Sequence, residues 1–266
     1  MQLLKWAGSK MGSAREIMPY LDFDRPYYEP FCGSASFFLK SNPPAAILND
    51  YNPALISFYA NIRVNPKKVW DVYNDINIGE EDYYKVRDEF NILSCGIVKA
   101  GFFLYLNHYC FNGIYRTNKK GNFNTPFGAK LKIKKKISFE DVLFFSNKLR
   151  MAKLFSLDFE DFLRNSSPSG STIYMDPPYF TKDARVFSEY GNKEFGGEDL
   201  ERLRDVAVWC SKRENRVVIS YRDCSEFRGL FSNWIVGSVN VRRNVGGFVG
   251  RRKKDNELIA VLGGRV

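Results

Sequence analysis

The 266-residue chain carries 40 Lys and Arg against 30 Asp and Glu, a formal charge of +10 with a pI of about 9.3, which favours a polyanionic partner. Five cysteines without a Cys-x-x-Cys pair, and one histidine, His108, give no basis for a disulfide framework, a zinc cluster or a multi-histidine metal site. No apolar run of about 18 residues and no leader pattern occur, so the chain is expected to be soluble and cytoplasmic, away from any membrane.

The length suits one large α/β domain, or one such domain carrying an insertion. Apolar residues reach 44%, enough for a sizeable core, and aromatic residues reach 16%, with 23 Phe and 15 Tyr. An aromatic core and a base-stacking surface are both consistent with that surplus.

The chain opens with Met1-Gln2-Leu3-Leu4-Lys5-Trp6-Ala7-Gly8-Ser9-Lys10 and then a helical pattern from Ser13 to Leu21. Ser13 could cap that helix, with Glu16 at the capping-box position. The Gly-Ser-Lys turn offers N–H groups and a cation suited to a carboxylate or phosphate, or is simply a loop. Next, Tyr27-Tyr28-Glu29-Pro30-Phe31-Cys32-Gly33-Ser34-Ala35-Ser36 reads as a strand, a small-residue turn and a helix starting near Ser34. Small residues let a ligand approach the backbone, and the missing Gly-x-Gly-x-x-Gly pattern argues against a dinucleotide. A second strand, 45–49, ends in Asp50. Its spacing from Gly33 suits a βαβ unit whose acid holds ribose hydroxyls, although an Asn/Asp turn would read the same way.

Helical patterns follow over 54–62, 66–74, 80–91 and 97–107. Two strand-like runs then flank Asn118-Lys119-Lys120-Gly121, a hairpin signal. The hairpin is dense in Asn, Lys, Arg and aromatic side chains, the types that contact phosphates, read base edges or wedge between bases. A plain surface turn is the alternative. The basic run Lys130–Lys136 is either a nucleic-acid contact or a solvated loop.

Residues 154–159 read as a strand with Asp158 near its end, and 160–164 as helical. Residues 173–175 form a short apolar strand that delivers Asp176-Pro177-Pro178-Tyr179. Two prolines fix φ, remove N–H donors and hold Asp176 extended, leaving peptide carbonyls unused at a rigid corner. The carboxylate and a carbonyl there can accept both hydrogens of a planar amine while the Tyr179 ring stacks on its face. The bland alternative is a strand terminator with a surface acid. Residues 180–197 look like a mobile lid, 198–214 a helix, 216–221 a buried strand, and 234–241 and 258–262 the last strands. Between those last two lies a basic, Gly-rich loop, 242–254. In one sheet, the Gly33 turn, Asp50 and the Asp176 corner would line a single crevice. With no redox motif, metal set or phosphate loop, a methyl sulfonium donor, S-adenosylmethionine, fits what remains.

The order of these motifs resembles the Dam-type (D12, α-class) DNA adenine-N6 methyltransferases nearly end to end. Leu4 to Lys10 resembles the N-terminal cofactor motif, with Ser9 where a Gly is usual. Glu29 to Ser36 resembles the cofactor loop, with Cys32 and Ala35 departing from the usual residues. Asn49 to Asn52 resembles the ribose segment, Asp158-Phe159 the contact to the cofactor's adenine, and Asp176 to Tyr179 the catalytic motif. Residues 251–258 resemble the C-terminal basic segment, and Phe111 to Gly128 the DNA-reading element of GATC methylases. The resemblance implies a Rossmann-like class I methyltransferase sheet. An S-adenosylmethionine-binding catalytic domain would span 1–52 and 149–266. An inserted, mostly helical target-recognition domain carrying the hairpin would span 53–148.

It further implies that Trp6, Lys10, Glu29, Phe31, Gly33, Ser34, Asp50, Asp158, Phe159 and Asp176 hold the cofactor. The substrate would be double-stranded DNA in a bacterial or phage-infected cell, with no obligate protein partner. A flipped adenine would stack on Tyr179 and give its N6 hydrogens to Asp176 and the Pro177 carbonyl. Arg116 would read a guanine, Phe111 and Asn112 would fill the vacated space, and Ile114 and Pro126 would meet a thymine methyl. Asn118, Asn124, Lys130 and Arg251 complete the expected DNA contacts. An RNA or protein-glutamine methyltransferase with a similar Pro-Pro-Tyr corner, and a non-catalytic DNA-binding module, remain alternatives.

Overall fold

The structure is a computed structural model that describes residues 3–6, 8–128, 136–179, 195–242 and 254–264. The expected lid between 180 and 194, the Lys130–Lys135 run and most of the basic loop, with Arg251, lie outside the described residues.

After a 3-10 turn, Lys10–Ser13, the chain runs through α1 (Ala14–Ile17), β1 (Tyr27–Glu29), α2 (Ser36–Lys40) and β2 (Ala46–Asn49). Then come α3 (Pro53–Val64), α4 (Pro66–Asp75), α5 (Glu80–Ile92), α6 (Ile97–Tyr109), α7 (Phe139–Leu149), β3 (Ala152–Phe155), α8 (Phe159–Ser166) and β4 (Thr172–Met175). It finishes with α9 (Gly197–Ser211), β5 (Arg216–Arg222), α10 (Ser225–Phe231), β6 (Ile235–Arg242) and β7 (Lys254–Leu262). The strands lie in the order β3-β2-β1-β4-β5-β7-β6. β2, β1, β4 and β5 run parallel, while β7 runs antiparallel to both β5 and β6. This mixed α/β sheet is the Rossmann-like fold expected.

Contacts divide the chain into two compact units. One contains Lys10–Asn49, 157–179 and 195–264. Its central strands are apolar on both faces, as parallel strands under helices must be: Ile173, Met175, Val217, Val218 and Ile219 are fully buried. Leu200, Leu203, Val206, Ala207 and Cys210 give α9 one buried stripe at helical spacing.

The other contains Met1–Ser9 and 50–156. Its core is largely aromatic. Phe58 and Phe103 stack with centroids 5.0 Å apart, Tyr105 and Tyr109 lie 4.8 Å apart, and Tyr73 and Tyr83 are fully buried. Much of the aromatic surplus is therefore packing material in this unit. The ring of His108 packs edge-on against Tyr73 and Tyr109 within it.

Several elements depart from the sequence reading. The helix expected over 13–21 breaks into a 3-10 turn, the four residues of α1, and a second 3-10 turn at Met18–Tyr20. Pro19 lacks the N–H that a continuous helix needs, and Ser13 makes no side-chain cap bond. The strand expected over 154–159 is β3, which stops at Phe155, and Asp158 instead caps α8 by accepting from the Glu160 N–H at 3.0 Å. The hairpin has no continuous strands. It consists of two isolated antiparallel bridges, Cys110 with Phe127 and Thr117 with Phe123, closed by a turn at Asn118. The Asn118 Oδ1 accepts from the N–H groups of Lys120 and Asn122, which favours a tight turn over an extended ladder. Helices α7 and α10 were not anticipated.

Candidate active site

Strand β1 has β2 on one side and β4 on the other, all parallel. The chain leaves β1 toward β2 and leaves β4 toward β5, in opposite directions. The carboxyl ends of β1 and β4 thus flank the point where strand order reverses, where open α/β sheets bind ligands. The Gly33 turn follows β1 and the Asp176 corner follows β4.

The corner is a closed electrostatic cluster, not a strand end with a surface acid. The Lys10 ammonium lies 2.9 Å from Asp176 Oδ1 and 3.3 Å from Glu257 Oε1. It donates to the Tyr179 hydroxyl at 2.8 Å, and that hydroxyl donates to Glu257. The Ser220 hydroxyl donates to Asp176 at 3.3 Å and is bonded to the Tyr174 hydroxyl on its other side at 2.8 Å. The Tyr179 ring stands edge-on to Tyr221, centroids 5.2 Å apart. Pro177 is buried and Pro178 half-buried, which holds the corner rigid.

Burial pushes the Asp176 carboxyl up to about 6, Lys10 opposes that rise, and Glu257 adds to it. Burial disfavours the Lys10 ammonium, yet Asp176, Tyr179 and Glu257 together hold it well above the usual lysine range. The Tyr179 phenol is pushed far up by burial and by Asp176, so it stays protonated. Lys10, expected among the cofactor contacts, here sits among the groups of the catalytic motif.

The turn after β1 is tightly built. Glu29 is buried at the strand end. Cys32 N–H donates to the Asn49 carbonyl at 2.8 Å, and the Asn49 amide donates to the Pro30 and Leu157 carbonyls at 2.9 and 3.0 Å. Asn49 thereby stitches the turn to the segment before α8, a role the sequence reading did not assign. Gly33 takes φ +45° and Ala35 φ +51°. Glycine bears the left-handed geometry freely, whereas Ala35 holds it under strain at one of the two places where the chain departs from the usual loop. The Ser34 and Ser36 hydroxyls are bonded at 2.7 Å, and Phe31 packs on Phe159 at 5.2 Å.

A family model described as D12 class N6 adenine-specific DNA methyltransferase matches residues 6–245. The chain belongs to that family. It is similar to a DNA adenine methylase of Vibrio cholerae, with 34% identity over 97% of this chain and 95% of the relative. It is also similar to the DNA adenine methylase of Escherichia coli K12, at 33% over 97% and 94%. The retron Ec67 DNA adenine methylase of Escherichia coli is 31% identical over 99% of this chain and 92% of its own length. The protein is an adenine-specific DNA methyltransferase.

In this D12 methyltransferase, Asp158 faces a partner the sequence reading missed. Arg202, from α9, lies 2.5 Å from Asp158, 2.9 Å from Glu160 and 2.7 Å from Asp199, with its guanidinium 4.8 Å from the Phe159 ring centroid. Burial opposes the charge on Arg202, but hydrogen bonds to the three carboxylates raise its pKa. An arginine three residues after an acid on a helix was the available signal, yet nothing in sequence links α9 to Asp158.

In the methyltransferase's other unit, Trp6 stacks on Phe103 and Tyr115, at 6.5 and 5.9 Å. Asp50 Oδ1 accepts from the Asn52 N–H at 2.9 Å, and Asn52 caps α3, so an Asx turn does form here. Arg116 Nε donates to Asn124 Oδ1 at 2.8 Å and a terminal nitrogen donates to the Asn124 carbonyl at 3.2 Å. The pair fixes the arginine's plane. Ile114 is half-buried, its carbonyl taking a hydrogen bond from the Thr125 hydroxyl at 2.8 Å. Phe111, 45% exposed, and Asn112, at φ +55°, stand at the surface beside exposed Pro126.

Proposed function

We propose that the chain transfers the methyl group of S-adenosylmethionine to N6 of an adenine flipped out of duplex DNA, within GATC. The observation that carries this reading is the pairing of the Gly33 turn and the Asp176–Tyr179 corner on neighbouring parallel strands at the reversal of strand order. The residues fit such a donor. A left-handed glycine allows close backbone approach, Phe31 and Phe159 offer an apolar wall for a purine, and Glu29, Asp50 and Asp158 offer acceptors for hydroxyl or amino groups. Trp6, Lys10, Ser34 and Asp176 complete the set we assign to it. When bound, S-adenosylmethionine supplies an electrophilic methyl group on a sulfonium.

The chain's own residues do the rest. Asp176 and the Pro177 carbonyl accept the two N6 hydrogens, which turns the nitrogen's lone pair out of conjugation and toward its target. Tyr179 stacks on the adenine, its hydroxyl anchored by Lys10 and Glu257 so that the ring cannot swing. The Asp176 side chain is only 18% exposed, which limits the approach of competing water. We assign 1–52 and 149–266 to donor binding and catalysis, and 53–148 to target recognition.

For recognition, Arg116 reads a guanine through O6 and N7, pre-oriented by Asn124. Phe111 and Asn112 fill the vacated stack, and Ile114 and Pro126 meet a thymine methyl. Asn118, Lys130 and Arg251 support the backbone. GATC rests on the resemblance of this hairpin to that of GATC methylases. The test is methyl incorporation into duplexes bearing GATC and its permutations. Preference for GATC is expected, with Arg116→Ala relaxing the guanine position by about 1–3 kcal/mol. Equal methylation of permuted sites would discard the assignment of GATC.

A further inference from the structure

Glu257 lies at the Asp176 corner, on a strand the adenine chemistry does not otherwise use. In β7 it pairs with Arg222 of β5, and Ile259 pairs with Ser220, so Glu257 and Ser220 share one face of the sheet. That face carries Glu257 to Lys10 and Tyr179, and Ser220 to Asp176. The Glu257 and Lys10 side chains are only 4% and 5% exposed. A carboxylate is costly to bury unless paired, and this one meets both the ammonium and the phenol of the corner.

Building on the methyl-transfer reading above, we propose that Glu257 is a positioning residue that takes the Lys10 ammonium from Asp176 when the target amino group arrives, and leaves the corner with one net negative charge.

Two carboxylates face one ammonium, with Tyr179 neutral. Asp176 Oδ1 is the atom an N6 hydrogen needs, and Lys10 now holds it at 2.9 Å. Without a second acceptor, Lys10 would have to stay on Asp176 and compete with the base, or be left buried and unpaired. Glu257 Oε1, already 3.3 Å away, removes that conflict with a shift of well under a bond length. In the transfer, the N6–methyl bond forms as the sulfur–methyl bond breaks, and the electron pair of the broken bond stays on sulfur. Positive charge thereby passes to N6, and an N6 proton then leaves through Asp176 to water. A corner of net charge −1 favours that arrival of charge, whereas a neutral corner would not.

The groups that face Asp176 are Lys10 from the N-terminal 3-10 turn, Ser220 from β5, Tyr174 from β4, Tyr179 and Glu257. The experiment compares wild type, Glu257→Gln and Glu257→Asp. Three quantities are read: DNA Kd, single-turnover methyl transfer, and the titration of Asp176 by carboxylate NMR in the protein without donor or DNA. In Glu257→Gln we expect a transfer rate lower by about 10- to 100-fold, a DNA Kd within about 3-fold of wild type, and an Asp176 midpoint below that of wild type, because a like charge is removed. Glu257→Asp keeps the charge, so its midpoint should stay near that of wild type and its rate should fall by less than about 10-fold. A Glu257→Gln protein with wild-type rate and midpoint overturns the inference. Should the Gln variant not fold, Glu257→Asp decides alone, and a rate loss above about 10-fold with normal DNA binding overturns it. A wild type that transfers no methyl group refutes the underlying reading instead.

Discussion

Lys10 Nζ and Asp176 Oδ1, 2.9 Å apart, join the N-terminal 3-10 turn to the end of β4 within one unit. Their proximity moderates the ionisation of the acid that the proposed chemistry depends on. Burial raises the Asp176 carboxyl to about 6, and Lys10 restrains the rise.

A protonated Asp176 loses the negative charge that favours a positive N6 and can no longer take up the N6 proton. The rate, as kcat/KM, should therefore fall as pH drops through about 6, and Lys10→Met should move that limb to higher pH. The stability effect has the opposite sense. Because the folded value lies above the ordinary 3.8, Asp176 contributes most to stability below 3.8, and the contribution is lost as pH rises through about 6. A pH–rate profile of wild type and Lys10→Met checks the first statement; an unmoved limb in Lys10→Met contradicts it.

Arg202 serves three carboxylates that are 13–20% exposed. Arg202→Met leaves them facing one another. With partial solvent screening, the loss should be about 1–2 kcal/mol, greater at low salt, read as a lower urea midpoint. Asp158→Asn keeps an oxygen for the α8 cap and should cost less than Asp158→Ala, which also loses about 1 kcal/mol of capping. Equal losses for the two would show that the cap contributes nothing.

Gly113 takes φ +68°, and a methyl group there would collide with the Lys5 side chain at its Cβ. Lys5 is itself tied to α6 through the Asn107 amide and the His108 carbonyl. Gly113→Ala should therefore destabilise the protein by about 1–3 kcal/mol and distort the Phe111–Ile114 turn. DNA affinity should fall while donor binding persists. Unchanged thermal unfolding and DNA affinity would contradict this account of the turn.

Asn124 holds the Arg116 guanidinium at two points. Asn124→Ala should weaken discrimination at the guanine position by part of the loss seen for Arg116→Ala, because the arginine remains but is no longer oriented. Competition between duplexes that differ at that base pair measures it, and full discrimination in Asn124→Ala would remove Asn124 from the recognition account.

The parallel strands were legible because each is a short apolar run closed by turn residues: Ile173 to Met175 by two prolines, Ala46 to Leu48 by Asn-Asp. Helices α3 to α6 announced themselves by apolar periodicity, with Pro53 and Pro66 at their first turns. Helix α7 was hidden behind the Lys-rich run, which drew attention as charge. The first helix failed because Pro19 outweighed the pattern around it. At the site, the sequence showed which residues carry chemistry but not what they touch. Ser220 and Glu257 reach the Asp176 corner through the sheet order β4-β5-β7 and its register, and Lys10 reaches it from the N-terminal 3-10 turn; no local spacing encodes either. The Asp158–Arg202 contact is equally non-local.

The most direct measurement is the product of the reaction itself. Duplex DNA is incubated with S-adenosylmethionine and either wild type or Asp176→Ala, then digested, and its nucleosides are separated by mass. N6-methyladenine is expected from wild type and none from Asp176→Ala, with DNA binding by the variant within a few-fold of wild type. N6-methyladenine formed by Asp176→Ala at the wild-type rate would contradict it.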